Sequence, residues 1–274
     1  MQHVDKTLEN ALENLQKSIH IKAEIKPQTA EIIQLNIWPE PVRAAPNQVL
    51  RSALFSAIKG SNRKAMEREL IASVNGFEIR FTGVQLCQTD FSVFTQALHL
   101  ARRAPLGNQC EFTASSFLDG LGRSKGKYQH EQLKKEFARL MGCGLEVTNK
   151  NSQKTYGDSL LRYYRDEITG RYVIQFNPRF KTLFDEGWTT IDWKQRKQLK
   201  NKPLAQWLHS FISSHTKIYP MKIETFRELS GSNTKEIRYF NKALKKALTD
   251  LKTIGAINVF HYEKGLVYID HIRY

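Results

Sequence analysis

Residues 223–271 read IETFRELSGSNTKEIRYFNKALKKALTDLKTIGAINVFHYEKGLVYIDH, and the order of elements in this stretch sets the fold. Ile223–Leu229 is short and apolar-periodic, which predicts a short helix. From about Lys235 to Ile254, Ile237, Phe240, Leu244, Ala247, Leu248 and Leu251 recur at helical spacing and project to one side at 100° per residue, and Gly255 stops the run. The segments Ile257–Tyr262 and Leu266–His271 then alternate around Glu263-Lys264-Gly265, the pattern of two strands and a turn. A longer helix from about Lys202 to Ser213 precedes all of this. Helix, helix and hairpin is the winged-helix order.

The same grammar occurs upstream. Asp90 caps a helical run through Phe94, Leu98 and Ala101 that stops by Pro105, and Cys110–Phe112 reads as a strand. Two helical stretches follow, Ser115–Leu121 and Tyr128–Met141, closed by Gly142 and Gly144, and then alternating segments at Leu145–Thr148, Leu160–Tyr164 and Tyr172–Phe176. Phe117 and Gly122 match Phe226 and Gly231 at a separation of 109 residues. After a two-residue shift, Tyr128, Leu133, Lys134-Lys135 and Leu140 match Tyr239, Leu244, Lys245-Lys246 and Leu251, so the module is repeated. Further outward, Val74, Phe77, Ile79, Phe81, Val84 and Leu86 predict short strands broken at Asn75-Gly76 and Thr82-Gly83. Leu8, Leu12, Leu15 and Ile19 predict an amphipathic helix, and Pro27, Pro39, Pro41 and Pro46 predict an extended arm. The expectation is an α+β chain of two tandem winged-helix domains, residues 48–190 and 191–274, behind an N-terminal helical and extended arm, residues 1–47.

Charge narrows the function. Of 274 residues, 42 are Lys or Arg and 27 Asp or Glu, a formal charge of +15 with a pI near 9.7, which points to a polyanionic partner. Cys87, Cys110 and Cys143 are odd in number and widely spaced, the pattern of reduced, packed thiols and not of a disulfide framework or zinc site. No apolar run approaches the length of a membrane span, and the first residues do not read as a signal peptide, so a cytoplasmic location is expected.

The cations are not scattered. On the helix after Thr234, Lys235, Arg238, Lys242, Lys245, Lys246 and Thr249 lie opposite the apolar stripe and make a strip suited to the major groove of double-stranded DNA. On the upstream helix Leu133, Phe137, Leu140 and Met141 are expected inward, and Tyr128, Gln132, Lys135 and Arg139 outward. Arg123, Ser124, Lys125 and Lys127 precede one helix, and Ser232, Asn233 and Thr234 the other, suited to phosphates at a helix N-terminus. A charged helix face is often merely solvated, but two within one repeated order favour recognition. Tyr163, Tyr164 and Tyr172 are expected to pack across strands.

With the modules in place, several segments resemble the TrfA family of plasmid replication initiators, whose architecture is similar to that of the RepE and RepA initiators: Trp38-Pro39-Glu40-Pro41-Val42-Arg43-Ala44-Ala45-Pro46-Asn47, Arg51-Ser52-Ala53-Leu54-Phe55, Phe81-Thr82-Gly83-Val84-Gln85-Leu86, Phe211–His215, and Tyr219–Arg227. The resemblance implies binding to direct repeats, called iterons, at a plasmid origin, opening of an adjacent AT-rich stretch, and recruitment of host DnaA, the replicative helicase and the sliding clamp in a bacterial cytoplasm. It also implies a monomer–dimer equilibrium. The family's clamp-binding peptide, Gln-Leu-x-Leu-Phe, has its counterpart in Gln34-Leu35-Asn36-Ile37-Trp38, which ends in Trp and lies closer to Pro39 than the family pattern. Either this segment is a short linear ligand, or Trp38 anchors the arm on the first module.

Enzymatic readings fail on spacing. Gly120-Leu121-Gly122-Arg123-Ser124-Lys125-Gly126-Lys127 has Leu121 where a phosphate loop needs Gly and Tyr128 where it needs Ser or Thr, and it follows a helix instead of a strand. The histidines include no pair separated by one residue, as a metal-dependent nicking initiator needs. A binding protein without cofactor, metal or catalytic step is expected, with a transcriptional repressor as the alternative.

Overall fold

The computed structural model describes residues 33–271 apart from Asn75. The expected helix over Leu8–Ile19, and Asn75 of the expected Asn75-Gly76 turn, lie outside the described residues. In chain order the elements are strand β1 (Val42–Pro46), helix α1 (Asn47–Leu50), strands β2 (Phe55–Ser56), β3 (Ala65–Ile71), β4 (Phe77–Val84) and β5 (Leu86–Cys87), and helix α2 (Gln88–Ala101). Then come β6 (Cys110–Thr113), α3 (Ala114–Leu121), α4 (Lys127–Met141), β7 (Gly144–Asn149), β8 (Lys154–Asp158), β9 (Arg162–Arg165), β10 (Arg171–Gln175), α5 (Lys181–Asp185) and β11 (Trp188–Asp192). The chain closes with α6 (Trp193–Gln198), α7 (Pro203–Ser213), β12 (Met221–Lys222), α8 (Ile223–Leu229), α9 (Ile237–Thr253), β13 (Ile257–Glu263) and β14 (Leu266–His271).

The C-terminal elements follow the expected order. The apolar stripe of α9, Phe240, Leu244, Ala247, Leu248 and Leu251, is buried in one core with Trp207, Leu208 and Phe211 of α7 and Phe226 of α8. Lys264 and Gly265, the two-residue loop of the hairpin, both have positive φ, the turn whose twist matches paired antiparallel strands. β14 pairs with β13 on one side and with β12 on the other, giving the order β12-β14-β13.

Upstream, β6, β10 and β9 form the order β6-β10-β9, the same arrangement one module earlier. The two modules also end their shorter helices alike. Gly122 and Gly231 adopt left-handed φ values of 68° and 59° after α3 and α8. Gly122 N–H donates to Asp119 O and Arg123 N–H to Leu118 O, while Gly231 N–H donates to Glu228 O and Ser232 N–H to Arg227 O. Phe117 and Phe226 are fully buried, as are Leu133 and Leu244 and also Leu140 and Leu251. The matched residues of the repeat thus hold matched structural roles.

Several expectations are corrected. The hairpin directly after α4, β7–β8, does not close on β6 but joins β3 and β4 in a sheet of order β3-β4-β7-β8; the later hairpin β9–β10 returns to β6. Thr82-Gly83 is not a turn, because β4 runs straight through it. Gly83, at φ 130°, is where the backbone passes close over Cys143, and β3 bulges opposite it between Met66 and Glu69. β3 escapes sequence reading because most of its residues face water, so it lacks an apolar alternation. Tyr172 stacks on Phe112 with rings 5.7 Å apart and Tyr163 lies 5.4 Å from Phe137, but Tyr164, on the other face of β9, is exposed.

The described part of the expected arm is also part of the fold. β1 pairs antiparallel with β11 from Val42–Asp192 to Pro46–Trp188, and a two-stranded ladder leaves one side of each strand open, where a proline's missing donor costs little. The expected boundary after residue 190 falls inside β11. Residues from Gln34 onward pack as one unit. Its joint is Arg196 of α6, 1% exposed, whose guanidinium donates to Gln88 O and Oε1 and Ser92 Oγ of α2 and to Gln206 O and Ser210 Oγ of α7. Burial lowers its pKa to about 9. Trp207 Nε1 donates to Ser52 O at 3.1 Å and Ala57 N to Ser230 O at 2.7 Å, which adds further ties.

Candidate nucleic-acid interface

The basic face of α9 is open. Lys235, Arg238, Lys242, Lys245, Lys246 and Thr249 are exposed, and the helix starts at Ile237, two residues later than expected, so Lys235 lies just ahead of it. Arg238 lies over the ring of Tyr239 at 4.8 Å, and Lys245 over that of Tyr262 at 4.8 Å. Tyr239, 58% exposed, stands where Tyr128, 69% exposed, stands on α4. The repeat aligns these two tyrosines, and that was the signal by which Tyr239 could have joined the expected contact residues.

On α4 the expectation divides. Tyr128 and Lys135 are exposed, Gln132 is half-buried, and Ser124, ahead of the helix, and Lys127, its first residue, lie open. Lys125 is exposed and pairs with Asp119 at 2.7 Å. Arg139 does not face outward: its Nε and Nη2 donate to Asp90 Oδ1 at 3.0 and 2.8 Å. Arg123 donates to Oε2 of buried Glu136 at 2.7 Å. Met141, expected inward, is exposed. A long arginine at the edge of an apolar stripe reaches back to a buried carboxylate on another helix, and a wheel drawn from one helix cannot show that acid. Glu136 has its pKa raised, by burial first, against the opposing pull of Arg123.

Asp90 is the centre of this arrangement. It sits at the third position of α2, not at the cap, and its Oδ2 accepts from Cys87 N at 2.8 Å, the acid half of a capping box. The same oxygen accepts from Arg63 Nη1 at 2.7 Å. One buried carboxylate therefore holds α4, through Arg139, and the 59–64 loop, through Arg63. On the loop's other side Asn233 Nδ2 donates to Asn62 O at 3.1 Å, just ahead of α9. Thr234 N donates to Ser232 Oγ in the same turn.

These ties bring the two basic helices to adjoining concavities. The first, of about 570 Å³, has Tyr128 and Gln132 of α4 on one wall and Arg63, Lys197 and Lys200 on others. The second, of about 500 Å³, is bounded by Asn233, Thr234 and Lys246 beside Lys59 and Asn62. Asn201 lines both. The loop between them was not singled out in the sequence, where Lys59-Gly60-Ser61-Asn62-Arg63-Lys64 reads as a turn with no helical period.

The expected clamp peptide is placed otherwise. Leu35 and Trp38 are 3% and 2% exposed and Gln34 reaches Arg102 O, while Ile37 is 71% exposed. Trp38 stacks on Phe184 at 6.1 Å and donates from Nε1 to His99 Nδ1 at 3.1 Å. That bond leaves the other ring nitrogen, Nε2, to donate to Glu40 Oε2 at 2.8 Å. Burial holds His99 down to about 4, and hydrogen bonds from His99 and then Arg102 hold Glu40 down to about 2. A linear ligand must offer its apolar side chains, and here two of them are core, so Trp38 is an anchor.

A model of the TrfA protein family matches residues 3–271. The chain belongs to the TrfA family. Plasmid replication initiator protein TrfA of Escherichia coli is 28% identical over 246 residues, covering 87% of this chain and 64% of the relative, so the chain spans just under two thirds of that relative's length. A crystal structure of domain 2 and domain 3 of RctB aligns with this TrfA-family chain at a TM-score of 0.52 and 13% identity, covering 83% of this chain and 98% of that one, a likeness of fold. Among the described residues no helix is long and apolar enough to cross a membrane.

Proposed function

We propose that this TrfA-family chain initiates plasmid replication by binding repeated origin DNA sequence-specifically, with α4 and α9 as the reading helices of two winged-helix units. The observation that carries the reading is that both helices, from matched positions of an internal repeat, border adjoining concavities that share Asn201. On this reading the free cations of α9 contact phosphates and base edges, whereas Arg123 and Arg139 act through position, since their charges are matched within the protein. Opening of the AT-rich stretch draws on binding free energy that offsets duplex deformation, without a catalytic step, and host DnaA and helicase are then recruited in the bacterial cytoplasm. A monomer–dimer equilibrium governs which form binds. Clamp recruitment through Gln34–Trp38 is not part of the proposal, because it requires Leu35 and Trp38 to leave the core.

The test is a salt titration of binding to a duplex bearing the origin repeats of the plasmid that encodes the chain, beside a scrambled duplex. Wild type is expected to prefer the repeats by about a hundredfold or more, and Arg238→Ala with Lys242→Ala to lose most of that preference. Equal, steeply salt-dependent binding of wild type to both duplexes sinks the reading.

A further inference from the structure

Between the two basic helices the protein raises a ridge that belongs to neither. Its crest is the loop from Lys59 to Lys64, whose Gly60, Ser61 and Arg63 border the first concavity and whose Lys59 and Asn62 border the second. Lys197, in the last turn of α6, and Lys200, from the segment between α6 and α7, flank it on the first side. We infer that this ridge is a third DNA-binding surface, one that takes the phosphate backbone of the duplex segment running between α4 and α9. The inference rests on those helices facing DNA.

Charge is the first argument. Lys59, Lys64, Lys197 and Lys200 are exposed and, among the described residues, form no ion pair. The acids that line the two concavities are already engaged, Glu136 by Arg123 and Asp250 by Lys202, as is Asp90 by Arg63 and Arg139. Among the described residues, the ridge therefore keeps a surplus of positive charge that no ion pair balances.

Shape is the second argument. Gly60 and Ser61 at the crest are small and exposed, so a phosphate can approach the backbone closely. The loop's one fork of donors, the Arg63 guanidinium, is turned to Gly60 O, Gln85 O and Asp90, which leaves the lysines for contact to phosphates and not to sequence. Rigidity is the third. Asn62 N donates to Lys59 O at 3.0 Å, Arg63 Nη1 to Gln85 O at 2.5 Å and Asn233 Nδ2 to Asn62 O, so the crest is held from below and from both sides. A surface already ordered loses little entropy when it binds.

The experiment uses the full chain with Lys59, Lys64, Lys197 and Lys200 all changed to Ala, and as a control the same chain with Lys150→Ala and Lys154→Ala on the β7–β8 turn. The probe is a duplex that wild type enriches from a randomised library, beside a scrambled duplex, each titrated with salt. Each phosphate engaged contributes about 0.9 to the slope of log K against log salt, so the ridge variant should lose roughly 2 to 3 in slope on both duplexes while keeping the preference between them. The control pair should lose less than about 0.5. An unchanged slope in the ridge variant, with wild-type preference intact, overturns the inference and leaves the helix reading standing. So does an equal loss per charge in the control, which reports net charge alone. If wild type enriches no sequence at all, the helix reading fails and the ridge inference falls with it.

Discussion

Asp90→Asn isolates the carboxylate that joins α2, α4 and the 59–64 loop. The side chain is fully buried and accepts from Arg63, Arg139 and the Cys87 N–H. Removing one partner of a buried ion pair typically costs about 3 to 5 kcal/mol. The side chains of Arg63 and Arg139 retain 12% and 18% exposure, so each guanidinium has a short path to water, and the low end applies. Asn keeps an oxygen for Cys87 N–H, which retains the cap, worth about 1 kcal/mol. The expected loss is therefore about 3 kcal/mol. Urea unfolding followed by the fluorescence of the four tryptophans measures it; with a slope of about 3 kcal/mol per molar, the midpoint should fall by about 1 M at unchanged slope. The cycle with Arg139→Gln should return a coupling of roughly 1 to 3 kcal/mol. A midpoint within 0.2 M of wild type, in error terms about half a kilocalorie per mole, refutes the reasoning, because the two arginines would then not depend on this acid.

Two further outcomes are expected. Trp38→Ala should lower stability by about 3 to 5 kcal/mol in the same unfolding assay, since it empties a stacked, buried site; a change below about 0.5 kcal/mol would return the segment to the role of a free peptide. His99 and His209 are both held below their ordinary pKa by burial, to about 4 and about 3, so each contributes stability that is complete above pH 6.5 and is lost as pH falls, over the window down to pH 4 for His99 and pH 3 for His209. Glu40, held at about 2, adds a loss below pH 4.5. Midpoints measured from pH 7.5 to 4.5 should fall in wild type and fall less in His209→Gln, and parallel profiles would contradict the assignment.

Local pattern determined a great deal about this protein. The stripe from Ile237 to Leu251, the glycine stop at Gly255, and the Lys264-Gly265 turn each act over a few residues, so their spacing alone announces a helix, its end and a hairpin. The repeat added order, and the free cations of α9 were legible because that helix has one buried stripe and one solvated face. Long-range pairing decided the rest. Which hairpin returns to β6, that residues 42–46 of the expected arm form a strand, and that Leu35 and Trp38 are core depend on partners far along the chain, invisible to any window. The same holds at the site. Arg139 looks like a surface cation until Asp90, 49 residues away, is folded beneath it, and the loop at Lys59 has no meaning until α4 and α9 stand on either side. Periodicity reports which way a side chain points from its own helix; only the packed fold supplies the opposing charge that decides whether that side chain remains free for a ligand.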